Sequence, residues 1–153
     1  MTNINSPVTD PFDLNRFTTA QQNIYDNALA ELRNGRKRSH WMWFIFPQID
    51  GLGSSPTSKY YSIKSQEEAR QYLNHPVLGK RLSECAEAVF SIEGRSISEI
   101  FGYPDNLKLK SSMTLFAYVS PPCSVFAHVL SKYFNGARDA LTLQLLEKLN
   151  QRN

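Results

Sequence analysis

At 153 residues, with 41% apolar and 20% charged side chains, the chain is long enough for one domain with its own core and too apolar to belong to the disordered class. Its 17 Lys and Arg against 14 Asp and Glu leave a net charge of +3, which is too small to mark a nucleic-acid binder by bulk charge and leaves only a local basic patch open. No apolar run approaches the roughly 20 residues of a membrane span, the start MTNINSPVTDPFD has no secretory-signal pattern, and the widely spaced Cys85 and Cys123 point to a reduced cytoplasmic protein rather than a disulfide scaffold.

Residues 1–11 are polar and proline-containing, and predict a flexible tail before a single domain at 12–153. Thr18-x-x-Gln21 has the form of a capping box, Phe17 stands at the staple position and Gly35 offers a stop, so a first helix is expected at about 19–34. Ala20, Ile24, Tyr25, Ala28, Leu29 and Leu32 form its apolar arc. Gln21 falls in the middle of that arc, either as cap partner or as a polar pocket residue.

The next stretch, RKRSHWMWFIFPQIDGLG, sets Arg36, Lys37, Arg38 and His40 directly before six large apolar residues. As a strand, Trp41 to Phe46 would be apolar on both faces and hence central; a buried helical turn fits equally well. Either way its flanks must leave the core, carrying the cations at one end and Gln48 with the Gly51-x-Gly53 turn at the other. Indole rings bury well yet keep an N–H that needs a partner, so Trp41 and Trp43 suit a stacking wall beside a polar pocket, or a plain core. The loop GLGSSPTSKYYSIK that follows is rich in Gly, Ser and Tyr, as binding loops often are, and Tyr60 to Ile63 carries a weak strand signal. Its free amides and hydroxyls, beside cations, are the groups that hold phosphates.

Ser65-x-x-Glu68 opens a helix to about Asn74, and His75-Pro76 restarts the chain into another, to about Phe90, lined by Leu78, Leu82, Cys85 and Val89. Ser96-x-x-Glu99 begins a short helix that Gly102 ends, and Asp105 can cap a helix to about Val119. Ser120 before Pro121 and Pro122 predicts the start of the next helix, with Gly136 as its stop, and Asp139 caps the last. In the helix after Asp105, Lys108 and Ser112 intrude on the apolar arc of Leu109, Met113, Leu115, Phe116 and Val119, one turn apart and in line with Asp105. Two readings compete: Asp105 caps, Lys108 snorkels and Ser112 bonds a helix carbonyl, or the three line a pocket.

Other motifs lead nowhere. Tyr60-x-x-x-Lys64 copies a dehydrogenase spacing without a preceding strand and glycine fingerprint, and no phosphate-loop Gly-Lys-Ser/Thr occurs. His40, His75 and His128 do not combine with the cysteines at metal-ligand spacing, so no metal or cofactor is expected. The fold expected is a mainly α, single compact domain of six or seven helices around the Trp41 to Phe46 segment.

Arg16-Phe17 with Ala20-Gln21, HWMWFIFPQIDGLG, Tyr60-Tyr61, Glu68-Ala69, HPVLG, Ile100-Phe101-Gly102, Asp105-x-x-Lys108-Leu109 and SSMTLF together closely resemble the family known as domain of unknown function 1810. The resemblance runs over about residues 12–149 and implies a mainly helical single domain with no established activity. Some members carry the label calpastatin, but nothing in this chain resembles that inhibitor's disordered, repetitive sequence. A weaker resemblance, in Tyr60-Tyr61, Asp105-x-x-Lys108 and Asp139-x-x-Thr142-Leu143, is to the YbiA-like, or NADAR, proteins, and implies N-glycosidic or ADP-ribose chemistry. Ser58 and Lys59 stand where that family has acidic and histidine residues.

Two functions are therefore expected to compete. In the first, a phosphorylated nucleoside or ADP-ribose-like molecule is bound by Gln21, His40, Trp41, Trp43, Gln48, Gly51, Gly53, Tyr60, Tyr61 and Ser112, with Asp105 and Lys108 as the pair for any glycosidic hydrolysis. In the second, a non-enzymatic module engages an acidic protein or nucleic acid through Arg36, Lys37 and Arg38. Neither involves a membrane.

Overall fold

Local hydrogen bonding accounts for most helix starts in the computed structural model, which describes residues 9–151. Ten helices follow in order: α1 (Asn15–Gln21), α2 (Tyr25–Arg33), α3 (Met42–Ile45), α4 (Pro56–Tyr60), α5 (Gln66–Asn74), α6 (Leu78–Ser91), α7 (Ile97–Phe101), α8 (Asp105–Tyr118), α9 (Val125–Phe134) and α10 (Ala140–Gln151). The hydroxyl of Ser65 accepts from Glu68 N, Ser96 and Glu99 close a reciprocal capping box, and the Asp139 carboxylate accepts from Thr142 N, as the spacings predicted. Among the described residues there is no strand, only one isolated parallel bridge between Ile49 and Ile63.

The helix count exceeds the six or seven expected for specific reasons. The predicted helix at 19–34 starts earlier and divides in two. Asp10 accepts from the N–H groups of Leu14 and Asn15 and so launches α1, while Thr18 bonds back to the Asn15 carbonyl and caps nothing. A tightened turn, Ile24 N to Gln21 O, then interrupts the α ladder. Trp41 to Phe46 takes the helical alternative as α3, and Tyr60 to Ile63 forms no strand beyond the Ile63 bridge. The helix expected at Ser120 begins at Val125, because Ser124 supplies the cap to Ala127 N and the two prolines occupy the preceding turn. Of the predicted flexible tail at 1–11, positions 1–8 lie outside the described residues.

The core gathers around α8, which packs against α5, α7, α9 and α10. From Ser111 to Ala117 every residue of α8 is buried, so this helix has no wet face along two turns. Trp41, Phe46, Phe17, Tyr72 and Phe116 are the largest fully buried side chains. Phe17 meets Tyr72 edge-on at 5.1 Å, and Tyr72 meets Phe116 at 5.4 Å, which joins α1, α5 and α8 through one aromatic chain. No described helix is long and apolar enough to cross a membrane.

Candidate functional site

Glu31 organises the strap that leads into the two tryptophans. On α2 and almost fully buried, its carboxylate accepts from Arg38 N at 2.7 Å, Ser39 N at 3.0 Å, Ser39 Oγ at 2.6 Å, Trp41 Nε1 at 2.9 Å and Asn27 Nδ2 at 2.9 Å. Burial alone would push this carboxyl up, but the bonds from Ser39, Arg38 and Trp41 outweigh it and hold it at about 2. Trp41 is therefore sealed, with its ring in the core and its N–H satisfied. Lys37 turns inward beside it: Nζ lies 2.9 Å from the Asp105 carboxylate and 5.0 Å from the Trp41 ring centroid, and the side chain is 7% exposed. Arg36, Arg38 and His40 face solvent.

Two residues on, Trp43 has different surroundings. It is half-buried, and the Lys108 ammonium stands 5.2 Å from its ring centroid. Trp43 also lines a cleft with Gln48, Ile49, Gly51, Leu52, Gly53, Ser58, Tyr61 and Ser62, whose volume is about 20 Å³. The Ile49–Ile63 bridge ties the two ends of the loop together, with Ile63 N on Gln48 O and Asp50 N on Ile63 O, both at 2.8 Å. Ser62 Oγ donates to Asp50 at 2.8 Å. At Gly53 a Cβ would come within 2.5 Å of Ser58 Oγ, so only glycine allows the loop to fold this tightly on itself. Burial, with Tyr60 alongside, raises the Tyr61 phenol, which is thus a neutral hydrogen-bonding group.

Five of the expected ligand residues, Trp43, Gln48, Gly51, Gly53 and Tyr61, thus meet at one cleft, and Lys108 stands over the Trp43 ring without itself lining the cleft. Asp105 does not cap α8; its carboxylate lies between Lys37 at 2.9 Å and Lys108 at 3.7 Å. The others lie elsewhere. Gln21 is enclosed, donating to Phe44 O at 2.7 Å and to the Tyr72 hydroxyl while accepting from Arg81, and so bridges α1, α3, α5 and α6. Ser112 is fully buried, and its Oγ has no hydrogen-bond partner. His40 is exposed on the strap, and Tyr60 projects outward beyond Tyr61. The cleft's own Ser58 and Ser62 were not singled out from the sequence, although their spacing of one helical turn in a hydroxyl-rich loop was a usable signal.

Chemically, the cleft offers an amide, hydroxyls and an aromatic face, without an imidazole or a free carboxylate in its lining. No group of three or more His, Cys, Asp or Glu among the described residues could hold a metal. Burial pushes the Cys85 thiol up to about 12, which leaves it a core side chain and not a nucleophile.

Fold and cleft define an all-helical single domain with an aromatic, hydroxyl-lined cleft behind a glycine loop. The chain belongs to the family described as protein of unknown function (DUF1810), whose model matches residues 11–146. It is similar to the conserved hypothetical protein Rv1873 from Mycobacterium tuberculosis, with 55% identity, a TM-score of 0.89, and coverage of 90% of this chain and 99% of that one. No curated protein matches the chain.

Proposed function

We propose that the Trp43 cleft binds a phosphorylated nucleoside or an ADP-ribose-like small molecule. The observation that carries this reading is the convergence of Trp43, Tyr61, Gln48 and the Gly51 to Gly53 backbone on one cleft, with the Lys108 ammonium over the Trp43 ring. A planar base stacks on aromatic faces, an amide reads its polar edge, and glycine amides with an ammonium neutralise a phosphate. A nucleoside needs several hundred Å³, against the present volume of about 20 Å³, so binding displaces the loop at 51–59. Within that loop the side-chain bonds of Ser55 and Ser58 are internal, and its outward ties gather at its two ends: Gly51 beside Leu145 and Leu52 on the core at one, and at the other Lys59 O, which accepts from Ser62 and Lys64, with Tyr60 O, which accepts from Arg16.

Hydrolysis of an N-glycosidic bond, the narrower form of the reading and the one the NADAR likeness implies, would fall on Asp105. Two ammonium groups already balance that carboxylate, which leaves it little charge for a cationic sugar, so the geometry favours binding over catalysis. The Asp139-x-x-Thr142 part of the likeness is a helix cap. The competing module reading keeps Arg36 and Arg38, which are exposed, but loses Lys37, whose charge is spent on Asp105.

The test combines a tryptophan-fluorescence titration with nucleoside phosphates and the substitution Lys108→Met. Asp105 retains Lys37 when Lys108 is lost, and Lys108 is about a third exposed, so stability should change by less than about 1 kcal/mol while affinity falls about tenfold. Absence of quenching by every nucleoside phosphate, or a melting temperature that collapses in Lys108→Met, would overturn the reading.

A further inference from the structure

A second concavity lies on the outer side of the Tyr60–Tyr61 pair. Its volume is about 430 Å³, and it is lined by Pro11, Phe12, Asp13, Arg16, Lys59, Tyr60, Lys64 and Glu68. Its floor is rigid. Arg16 Nη2 and Glu68 Oε2 form a buried ion pair at 2.6 Å, and Arg16 also donates to the carbonyls of Phe12, Asp13, Tyr60 and Ser62. The remaining carboxylate oxygen of Glu68 accepts from Lys64 N. One guanidinium therefore fixes the backbone on both walls, the 12–13 turn and Tyr60, from which the two aromatic side chains extend.

The walls are what a surface seldom leaves bare. Tyr60 is 55% exposed and packs edge-on to Tyr61 at 4.8 Å, so one face of its ring has no intramolecular use, and Phe12 opposite is only partly covered. With Arg16 and Glu68 neutralising each other, the lining keeps Lys59, Lys64 and Asp13 as charges, a balance of one positive. The Lys64 ammonium already bonds Lys59 O, Ser62 O and Ser62 Oγ, which leaves Lys59 as the cation available to a ligand.

We propose that this groove is a binding site for a small aromatic anion, with the ring held between Tyr60 and Phe12 and the anionic group on Lys59. The volume lies within the range of small-molecule sites, and the ring and the charge each have one defined seat. The groove and the Trp43 cleft have no lining residue in common, and Lys59 stands at the end of the loop at 51–59.

Saturation-transfer NMR and calorimetry with phenyl phosphate test it, with inorganic phosphate supplying the charge alone and phenol the ring alone. Phenyl phosphate should bind more tightly than either half. Lys59→Gln and Tyr60→Leu should each weaken it about tenfold, the scale of one charge-assisted hydrogen bond or one stacked ring. Both residues are exposed, so the variants should keep the parent circular-dichroism spectrum, and Lys148→Gln on α10 should bind as the parent does. Trp43→Leu should leave this binding intact, which separates the groove from the Trp43 reading. Equal affinity for inorganic phosphate, indifference to both groove substitutions, loss of binding in Trp43→Leu, or no binding at millimolar concentrations would each overturn the proposal.

Discussion

Trp41 and Trp43 stand two residues apart on the same short helix border and have opposite roles. Trp41 is fully buried, its N–H is bound to Glu31 and the Lys37 ammonium closes off its ring. Trp43 is half-buried, with Lys108 near its face and a glycine loop beside it. The difference comes from what each ring meets: a carboxylate on α2 reaches one, and no described side-chain acceptor reaches the nitrogen of the other. Identical side chains divide into a structural anchor and a wall of a cleft through tertiary partners alone.

The most direct way to break this comparison is to remove each indole. Trp41→Ala opens a cavity in the core and strips a donor from Glu31, and should cost about 3 to 5 kcal/mol in equilibrium urea denaturation. Trp43→Ala removes a partly wet ring and should cost about 1 kcal/mol. Equal losses would mean that Trp43 is as much an anchor as Trp41, and the cleft would lose its wall.

Glu31→Gln sharpens the same contrast with a smaller effect. The amide keeps one acceptor oxygen but gives up the charge that strengthens the bonds to Arg38, Ser39 and Trp41, for an expected loss of about 2 kcal/mol at neutral pH. The sign of its pH dependence follows from a folded carboxyl held at about 2 against an ordinary value of 4.5. Its stabilisation is complete above about pH 4.5 and is lost as pH falls towards 2. The stability gap between parent and Glu31→Gln should therefore close over that window in acid titrations of unfolding. A gap that stays constant would show that the Glu31 charge contributes nothing.

The same contrast separates what the sequence made legible from what it did not. Ser65, Ser96 and Asp139 were readable as caps because each needs only a partner three residues on. The cleft was readable in part because Trp43, Gln48, Gly51 and Gly53 lie within one stretch of chain, and Tyr61 lies at its far end. Glu31 went unnoticed, since all its partners but Asn27 are seven to ten residues away on an irregular strap. Gln21 looked like a cap partner but is a bridge to residues 23 to 60 positions away. Six apolar residues in a row fit strand and helix equally, and only packing chose the helix at Met42–Ile45. The helical projection put Ser112 within the apolar arc, where it is fully buried, but it presumes one dry and one wet face and so did not show that α8 is dry all round from Ser111 to Ala117.

Ser112 gives the smallest test and the one most specific to the boundary between the two regions. It lies one turn beyond Lys108 on α8, yet it is 0% exposed and its hydroxyl has no partner, whereas Ser111 and Thr114 donate to the carbonyls of Leu107 and Lys110. A buried hydroxyl without a hydrogen bond carries its desolvation cost uncompensated, so Ser112→Ala should raise stability by up to about 1 kcal/mol. Thr114→Val, which loses bonds to Lys110 O and from Asp139 N, should lower it by about the same amount. Ligand affinity at the Trp43 cleft should not respond to Ser112→Ala, because the hydroxyl is fully buried and does not line the cleft. A loss of affinity in this variant would mean that the ligand reaches past Lys108 into the helix face, and the division between a closed Trp41 side and an open Trp43 side would have to be redrawn.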